Sequence, residues 1–241
     1  MNTSCRYKRV LVKLSGEALM GDTRNAFDPR FLDGLVHELQ TAHATGVQLA
    51  LVVGGGNIYR GGLGHDQGPA RSRGDHMGML ATVINSLAIQ GGLEKIGLSS
   101  VVYTAIPMPQ VAETFVLRHA LDDLARGRIL ICAAGTGNPY FTTDTAASLR
   151  AAEMGADLLL KGTKVDGVYS DDPKTNHNAQ RYDQLTFDQV LHQKLQVMDL
   201  TAISLCQANK IPIMVFSILE RGVLTAILNG EQRGTLIKEA L

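Results

Sequence analysis

Short apolar runs rich in β-branched residues recur along this chain, and each is followed by glycines or by a helical pattern. The strand candidates are RVLVKLS (9–15), VQLALVVG (47–54), SVVYTAI (100–106), RILICAA (128–134), DLLLKGT (157–163), IPIMVFS (211–217) and TLIKE (235–239). Several are apolar at consecutive positions, so both of their faces must be buried. Strands of that kind belong in a parallel sheet covered by helices on both sides. Parallel neighbours need crossover connections, and the alternation of strand and helix supplies them. The expected fold class is therefore α/β: a doubly wound, mainly parallel central sheet with helices on both faces. In such a sheet ligands sit at the carboxyl ends of the strands. A chain of 241 residues, 45% of them hydrophobic, suits one large domain over residues 1–241 with ample core.

The intervening helices leave their own marks. Asp28-Pro29 reads as an N-cap followed by proline in the first helical turn, with Leu32, Leu35, Val36 and Leu39 as an apolar stripe ending before Gly46. A second helix is expected from about Asp75 to Gly91, with Met77, Leu80, Ala81, Ile84, Leu87 and Ala88 on one face. Met79, Val83 and Ile89 lie off that stripe, so the helix is apolar nearly all round. Deep burial or a subunit interface would each explain it. A third helix follows Thr142 and ends at Gly155, capped by Thr143 or Asp144, and the last two span 186–209, with a break, and 219–229. The stretch 166–184 reads as a functional loop or hairpin.

Charge and cysteine usage exclude several classes. Lys plus Arg and Asp plus Glu are both 23, so no global basic field invites nucleic acid. Cys5, Cys132 and Cys206 show no disulfide or zinc spacing, which fits a reducing compartment. The N-terminal apolar run is too short for a signal peptide and no later one reaches transmembrane length. The expectation is a cytoplasmic protein that binds neither membrane nor nucleic acid.

Four glycine- and charge-rich clusters fall just after strands: KLSGEAL (13–19), GGGNIYRGG (54–62), GTGNPYFTTD (135–144) and KGTKVDGVYSDDP (161–173). Their convergence on one sheet edge carries more weight than any one of them. Lys13 lies in an apolar strand, where a lysine either snorkels to water from an edge strand or neutralises an anion beside Ser15-Gly16. In GGGNIYRGG, Tyr59 occupies the third glycine slot of a dinucleotide fingerprint and no acid closes a following strand, which sets a dehydrogenase aside. Arg60 is either a bidentate phosphate donor or a surface arginine. There is no G-x-x-x-x-G-K-[ST] loop. The glycines of GTGNPYFTTD permit close backbone approach, and a helix starting at its threonines would offer amides to an anion. In the fourth cluster an adenine could stack on Tyr169 with Asp172 on a ribose hydroxyl, or the segment is simply a charged hairpin. The seven histidines are dispersed; only His76, beside Asp75, stands near a cluster. A site of donors and positive charge without a nucleophile suits phosphoryl transfer.

In this order, KLSGEAL, GGGNIYRG, GDHMGMLATVIN, GTGNPYFTTD, KVDGVYSDDP and VMDLTA closely resemble the bacterial UMP kinases of the amino acid kinase family. The likeness runs from Lys8 to about Lys238. GDHMGMLAT with GTGNPYFTTD is its specific part; KLSG and GGGN alone indicate only the wider family. The resemblance implies the amino acid kinase fold and ATP-dependent phosphorylation of UMP to UDP with Mg²⁺. It implies that Lys13, Leu14, Ser15 and Gly16 meet ATP, and that Gly55, Gly56 and Arg60 lie where donor and acceptor phosphates join. Asp75 would hold the UMP ribose. Thr136, Gly137, Asn138, Pro139, Tyr140, Phe141, Thr142 and Thr143 would form the uridylate pocket. Thr163, Tyr169 and Asp172 resemble ATP-side positions, and Asp144 and Asp199 resemble the acids that orient catalytic lysine or magnesium. Homohexamers built on dimers, activated by GTP and inhibited by UTP, are also implied. In the loop GDTRNAFD (21–28), Arg24, Asn25 and Ala26 replace the usual Gly-Phe-Gly element, a departure that bears on the GTP response. Two rivals remain: a same-fold kinase with a carboxylate or carbamate acceptor, which Asp75 would repel, and a non-catalytic nucleotide sensor or oxyanion-binding protein.

Overall fold

All seven apolar runs become strands, joined by helices that bury the sheet from both sides. The computed structural model describes residues 5–21, 25–59, 70–173 and 175–240. Its strands are β1 (Arg9–Leu14), β2 (Gln48–Val53), β3 (Ser100–Thr104), β4 (Glu113–Thr114), β5 (Ile129–Ala133), β6 (Leu158–Thr163), β7 (Val168–Tyr169), β8 (Arg181–Tyr182), β9 (Gln184–Thr186), β10 (Ile213–Ser217) and β11 (Thr235–Lys238). Its α-helices are α1 (Pro29–His43), α2 (Arg71–Lys95), α3 (Leu117–Ala125), α4 (Thr143–Met154), α5 (Phe187–His192), α6 (Leu200–Ala208) and α7 (Val223–Leu228).

Nine of these strands form one sheet in the order β4-β3-β5-β2-β1-β6-β10-β11-β9, and β7 and β8 make a separate hairpin. Within the sheet only β10 and β11 pair antiparallel. The expected doubly wound, mainly parallel architecture is present. Side chains alternate across the pleat, so β1 sends Val10, Val12 and Leu14 into one core layer and Leu11 into the other. The first layer lies under α1, α2 and α7, the second under α3 to α6.

Local signals explain most helix boundaries. Asp28 caps α1 by accepting the Arg30 N–H, with Pro29 in the first turn. Gly155 closes α4 in the left-handed conformation. The cap of α4 is Thr142, not Thr143 or Asp144: its hydroxyl accepts the Asp144 and Thr145 amides. The break in the last helical stretch separates α5 from α6, and α3 is an amphipathic helix, burying Ala120 and Leu124, that the sequence reading did not single out.

Helix α2 corrects the sequence reading most. It starts four residues earlier and ends four later than expected, and of its two apolar faces one is buried and one is not. Met77, Leu80, Ile84 and Leu87 point outward, each between 36% and 51% exposed. The inward face carries Met79, Ala81, Thr82, Val83, Asn85, Ser86, Ile89 and Leu93. The physical reason is distance: this face must lie directly on the turn after β2, and small residues permit that approach. A Cβ on Gly55 would sit 2.8 Å from both the Ala81 Cβ and the Gly78 carbonyl oxygen.

Candidate active site

The strand register assembles the charged centre. Lys13 on β1 is paired with Lys161 on β6, and the pleat sends both onto the layer occupied by Leu11 and Leu159. Strand β1 has β2 on one side and β6 on the other, so the edge-strand explanation for Lys13 fails. Two ammonium groups side by side in the interior would repel strongly. Asp144, in the first turn of α4, resolves this by standing between them. Its Oδ1 lies 2.6 Å from Lys13 Nζ and its Oδ2 2.7 Å from Lys161 Nζ. Burial works to raise the Asp144 pKa, but the two lysines outweigh it and hold the carboxyl below its ordinary value. Burial lowers the Lys161 pKa, and Asp144 counters only part of that. Lys161 also donates to the Val197 carbonyl. The trio keeps one net positive charge, available to a phosphate.

The two glycine turns interlock beside this trio. A Cβ on Gly16 would fall 2.4 Å from the Gly54 carbonyl oxygen, so only glycine lets the turn after β1 meet the turn after β2. From Gly54, a Cβ would lie 3.6 Å from the Thr143 hydroxyl, which brings the loop before α4 to the same point. Three strand ends therefore converge, as the sequence clusters imply.

Between α2 and the loop before α4 opens a cleft of about 160 Å³. It is lined by Gly55, Asp75, Thr136, Asn138, Phe141, Thr142 and Thr143, all expected from the sequence, and also by Tyr59, Gly78, Met79 and Thr82. The loop's path is held by Thr82, whose hydroxyl accepts the Ala134 N–H at 2.8 Å, and by Asp75, which accepts the Tyr140 N–H at 2.7 Å. Gly137 adopts φ +78° with Ala105 packed against it, a position no side chain would share cheaply. Gly137, Pro139 and Tyr140 shape the loop without lining the cleft. Tyr140 is turned outward beneath Arg71, whose guanidinium lies 5.5 Å from the ring centroid.

The remaining expected residues separate into groups. Leu14 and Ser15 follow Lys13 at the carboxyl end of β1, Gly56 lies on the second turn, and Thr163 ends β6, paired with Ser217. Tyr169 and Asp172 lie on and beyond β7, in the hairpin anchored by the Val168 N–H donating to the Thr235 hydroxyl at 2.8 Å. Tyr169 donates to Asp166 at 2.7 Å. Asp199 is the N-cap of α6, accepting the Ala202 N–H and the hydroxyls of Thr142 and Thr145. It braces the start of α4 rather than facing the lysines directly. The amides of Asp144 and Thr145 are engaged by Thr142, and the Thr142 and Thr145 hydroxyls donate to Asp199, so the anion-binding capacity of that helix start lies in the Thr143 hydroxyl and the neighbouring turns. Arg60 and Arg24 lie outside the described residues. His76 is exposed on α2 and does not line the cleft. Sequence reasoning missed Lys161 as a site residue, although a lysine inside the apolar run DLLLKGT is the same signal that marked Lys13.

This donor set does not suit Mg²⁺ held by side chains alone. No group of three or more metal-ligating side chains occurs among the described residues, and both oxygens of Asp144 face lysines. The protein side chains here do not form a metal cage.

Comparison with known proteins agrees with this geometry. Residues 8–217 match the family model described as "Amino acid kinase family". The uridylate kinase of Magnetococcus marinus is 58% identical over 234 residues, covering 97% of each chain. That of Bartonella bacilliformis is 52% identical over 239 residues, covering 99% of this chain and all of the relative. The crystal structure of UMP kinase from Bacillus anthracis superposes with a TM-score of 0.95 at 40% identity, covering 98% of this chain and 97% of that one. The chain belongs to the amino acid kinase family, alongside the uridylate kinases within it.

Proposed function

We propose that this protein transfers the γ-phosphoryl group of ATP to UMP, giving ADP and UDP. The observation that carries the reading is the buried Lys13–Asp144–Lys161 trio placed beside a cleft that presents Asp75 and a row of threonines. A UMP phosphate oxygen attacks the γ-phosphorus, a new P–O bond forms, and the bond to the ADP oxygen breaks in line. No protein nucleophile is required. The lysines offset charge on the transferring group, and the interlocked turns at Gly16 and Gly55–Gly56 bring donor and acceptor phosphates together. Asp75 suits ribose hydroxyls, which donate, and would repel a carboxylate acceptor.

ATP enters as its Mg²⁺ complex, with the ion carried by the phosphates. Leu14, Ser15, Thr163, Tyr169 and Asp172 make the donor side in this reading; Thr136 to Thr143 hold uridylate, and Arg60 assists at the phosphate junction. Asp144 orients the lysines and Asp199 holds the acceptor helix. Its place is pyrimidine nucleotide biosynthesis, with residues 1–241 as one domain in the cytoplasm. None of the described helices is long and apolar enough to cross a membrane. The outward stripe Met77, Leu80, Ile84 and Leu87 supports a homo-oligomer; a hexamer built on dimers, with GTP activating and UTP inhibiting, is what the resemblance to the bacterial UMP kinases implies.

A coupled assay of ADP release across UMP, CMP, dTMP and acetylglutamate tests the reading. UMP should be the good acceptor and CMP a poor one. Absence of turnover with UMP defeats it.

A further inference from the structure

Three polar residues on the inward face of α2 are buried, and they behave differently. Thr82 and Ser86 donate back to carbonyls of their own helix, Met79 and Thr82 respectively. Asn85, fully buried, reaches off the helix. Its Nδ2 donates to the Gly54 carbonyl at 2.6 Å and to Asn57 Oδ1 at 2.7 Å. Asn57 Nδ2 returns a hydrogen bond to Asn85 Oδ1 at 3.0 Å and donates its other proton to the Ala26 carbonyl at 2.8 Å. All four amide protons of the pair are therefore committed. Asparagine is a poorer helix former than alanine, and a buried amide is costly unless its partners are met, so stability alone would favour a small apolar residue here.

The bonds fall on the turn that the phosphates would use. Gly54 directly follows β2, and its N–H donates to Leu14 at the end of β1. Because the peptide unit is planar and trans, fixing the Gly54 carbonyl toward Asn85 turns the Gly55 N–H the opposite way. Asn57 Oδ1 lies 2.7 Å from where a Gly16 Cβ would be, so the same pair also presses on the other glycine turn. Ala26 contributes only a backbone carbonyl to this network.

We infer that Asn85 and Asn57 are positioning residues for phosphoryl transfer: the reciprocal amide pair fixes the Gly54–Asn57 turn against the Gly16 turn and so sets where the backbone meets the transferring phosphate. The inference rests on the proposed kinase reading. Neither residue touches substrate; both act through the backbone they hold.

The test compares the unaltered chain with Asn85→Asp, Asn57→Ala and the double variant. Asn85→Asp keeps the shape but sets an acceptor against the Gly54 carbonyl. Each single variant should lower kcat at least about tenfold while KM for UMP and for ATP stays within about threefold, the pattern of a lost transition-state interaction. The double variant should be no worse than the poorer single, because the residues act as one unit. Amide hydrogen exchange of the unliganded protein should accelerate at Gly54–Asn57 ahead of β2 and β5. A kcat within about twofold of the unaltered chain with a lowered melting temperature would overturn the inference, as would losses that multiply in the double variant. Should Asn85→Asp fail to fold, the half-buried Asn57→Ala alone decides by the same kcat and exchange criteria. If the unaltered chain does not phosphorylate UMP, the kinase reading fails, whereas the exchange pattern still reports whether the pair holds the turn.

Discussion

The charged centre and the acceptor cleft sit side by side but are built from opposite materials. Lys13 and Lys161 are fixed by the pairing of β1 with β6, and Asp144 by the first turn of a helix. Every member of that trio is largely buried. The cleft wall is instead a loop containing Ala134, Gly135, Gly137 and Tyr140 at positive φ, with Tyr140 and Phe141 at least half exposed. Groups that neutralise the transferring charge gain from a rigid, poorly solvated setting, where reorganisation is least. An acceptor must enter and leave, and a loop wall lets it do so. Substitutions in the centre should therefore act on kcat and stability, and those in the cleft on KM.

The largest effect is expected at Asp144. Asp144→Asn leaves two buried ammonium groups facing each other and should cost about 3–5 kcal/mol, the range for breaking a buried ion pair from one side. Urea unfolding measures it. Its pH dependence has a definite sign. The Asp144 pKa is depressed below its ordinary 3.8, so the stabilisation is complete above that value and disappears as pH falls through the lower folded-state pKa. The gap between the unaltered chain and Asp144→Asn should accordingly be full from about pH 5 up to the pH at which the down-shifted Lys161 loses its charge, and should close in stronger acid. A gap that already closes as pH falls from about 7 to 5 would show that the carboxylate is not held by the lysines.

Lys13→Ala and Lys161→Ala should be gentler on stability, because Asp144 keeps one partner in each. Their cost falls on turnover, roughly 10²–10³-fold in kcat, the range for removing one preorganised donor. A large melting-temperature loss with near-normal activity would make either lysine structural. The buried Lys161 also sets the alkaline limit: its pKa is lowered from 10.5, so kcat should begin to fall below that pH as its charge is lost. Lys161→Arg should move that limb upward.

These residues also show what was legible beforehand. A lysine inside an apolar run is visible in sequence, and it marked Lys13; the same mark at Lys161 gained meaning only from the register that sets it beside Lys13. Six of the seven main strands were readable because they bury both faces, and β11 by its alternation, whereas β4 and β9 are too short to carry a pattern. Which face of α2 turns inward was left open in the sequence, because periodicity weighs apolar size and the helix is apolar nearly all round. The helix is packed by closeness to Gly55, which favours Ala81 and Asn85 and leaves Leu80 and Ile84 outside. The Asn57–Asn85 pair joins residues 28 apart in sequence, and no local spacing announces it.

Within the cleft, Asp75→Ala should raise KM for UMP about tenfold, equivalent to about 1.4 kcal/mol of binding, with KM for ATP unchanged. Asp75 accepts the Tyr140 N–H as well as facing the cleft, so Asp75→Asn, which keeps an acceptor, should recover part of the loss. A fall in kcat with unaltered KM would place Asp75 with the charged centre and break the division between the two regions.

The smallest effect is expected at Tyr140, where opposing terms nearly cancel. A non-glycine residue in the left-handed region costs about 1–2 kcal/mol, and Tyr140 sits at φ +73°. Tyr140→Gly removes that strain but enlarges the unfolded chain's freedom, worth roughly 0.5–1 kcal/mol. It also gives up the exposed contact with Arg71, about 0.5–1 kcal/mol for such a cation–π pair. Stability should shift by less than about 1 kcal/mol in urea unfolding. The hydrogen bond to Asp75 comes from the backbone and survives the change, so KM for UMP should move by no more than about threefold. A tenfold rise would mean that the ring itself, not the path of the loop, holds the acceptor, and that the cleft wall is less adaptable than its glycines suggest.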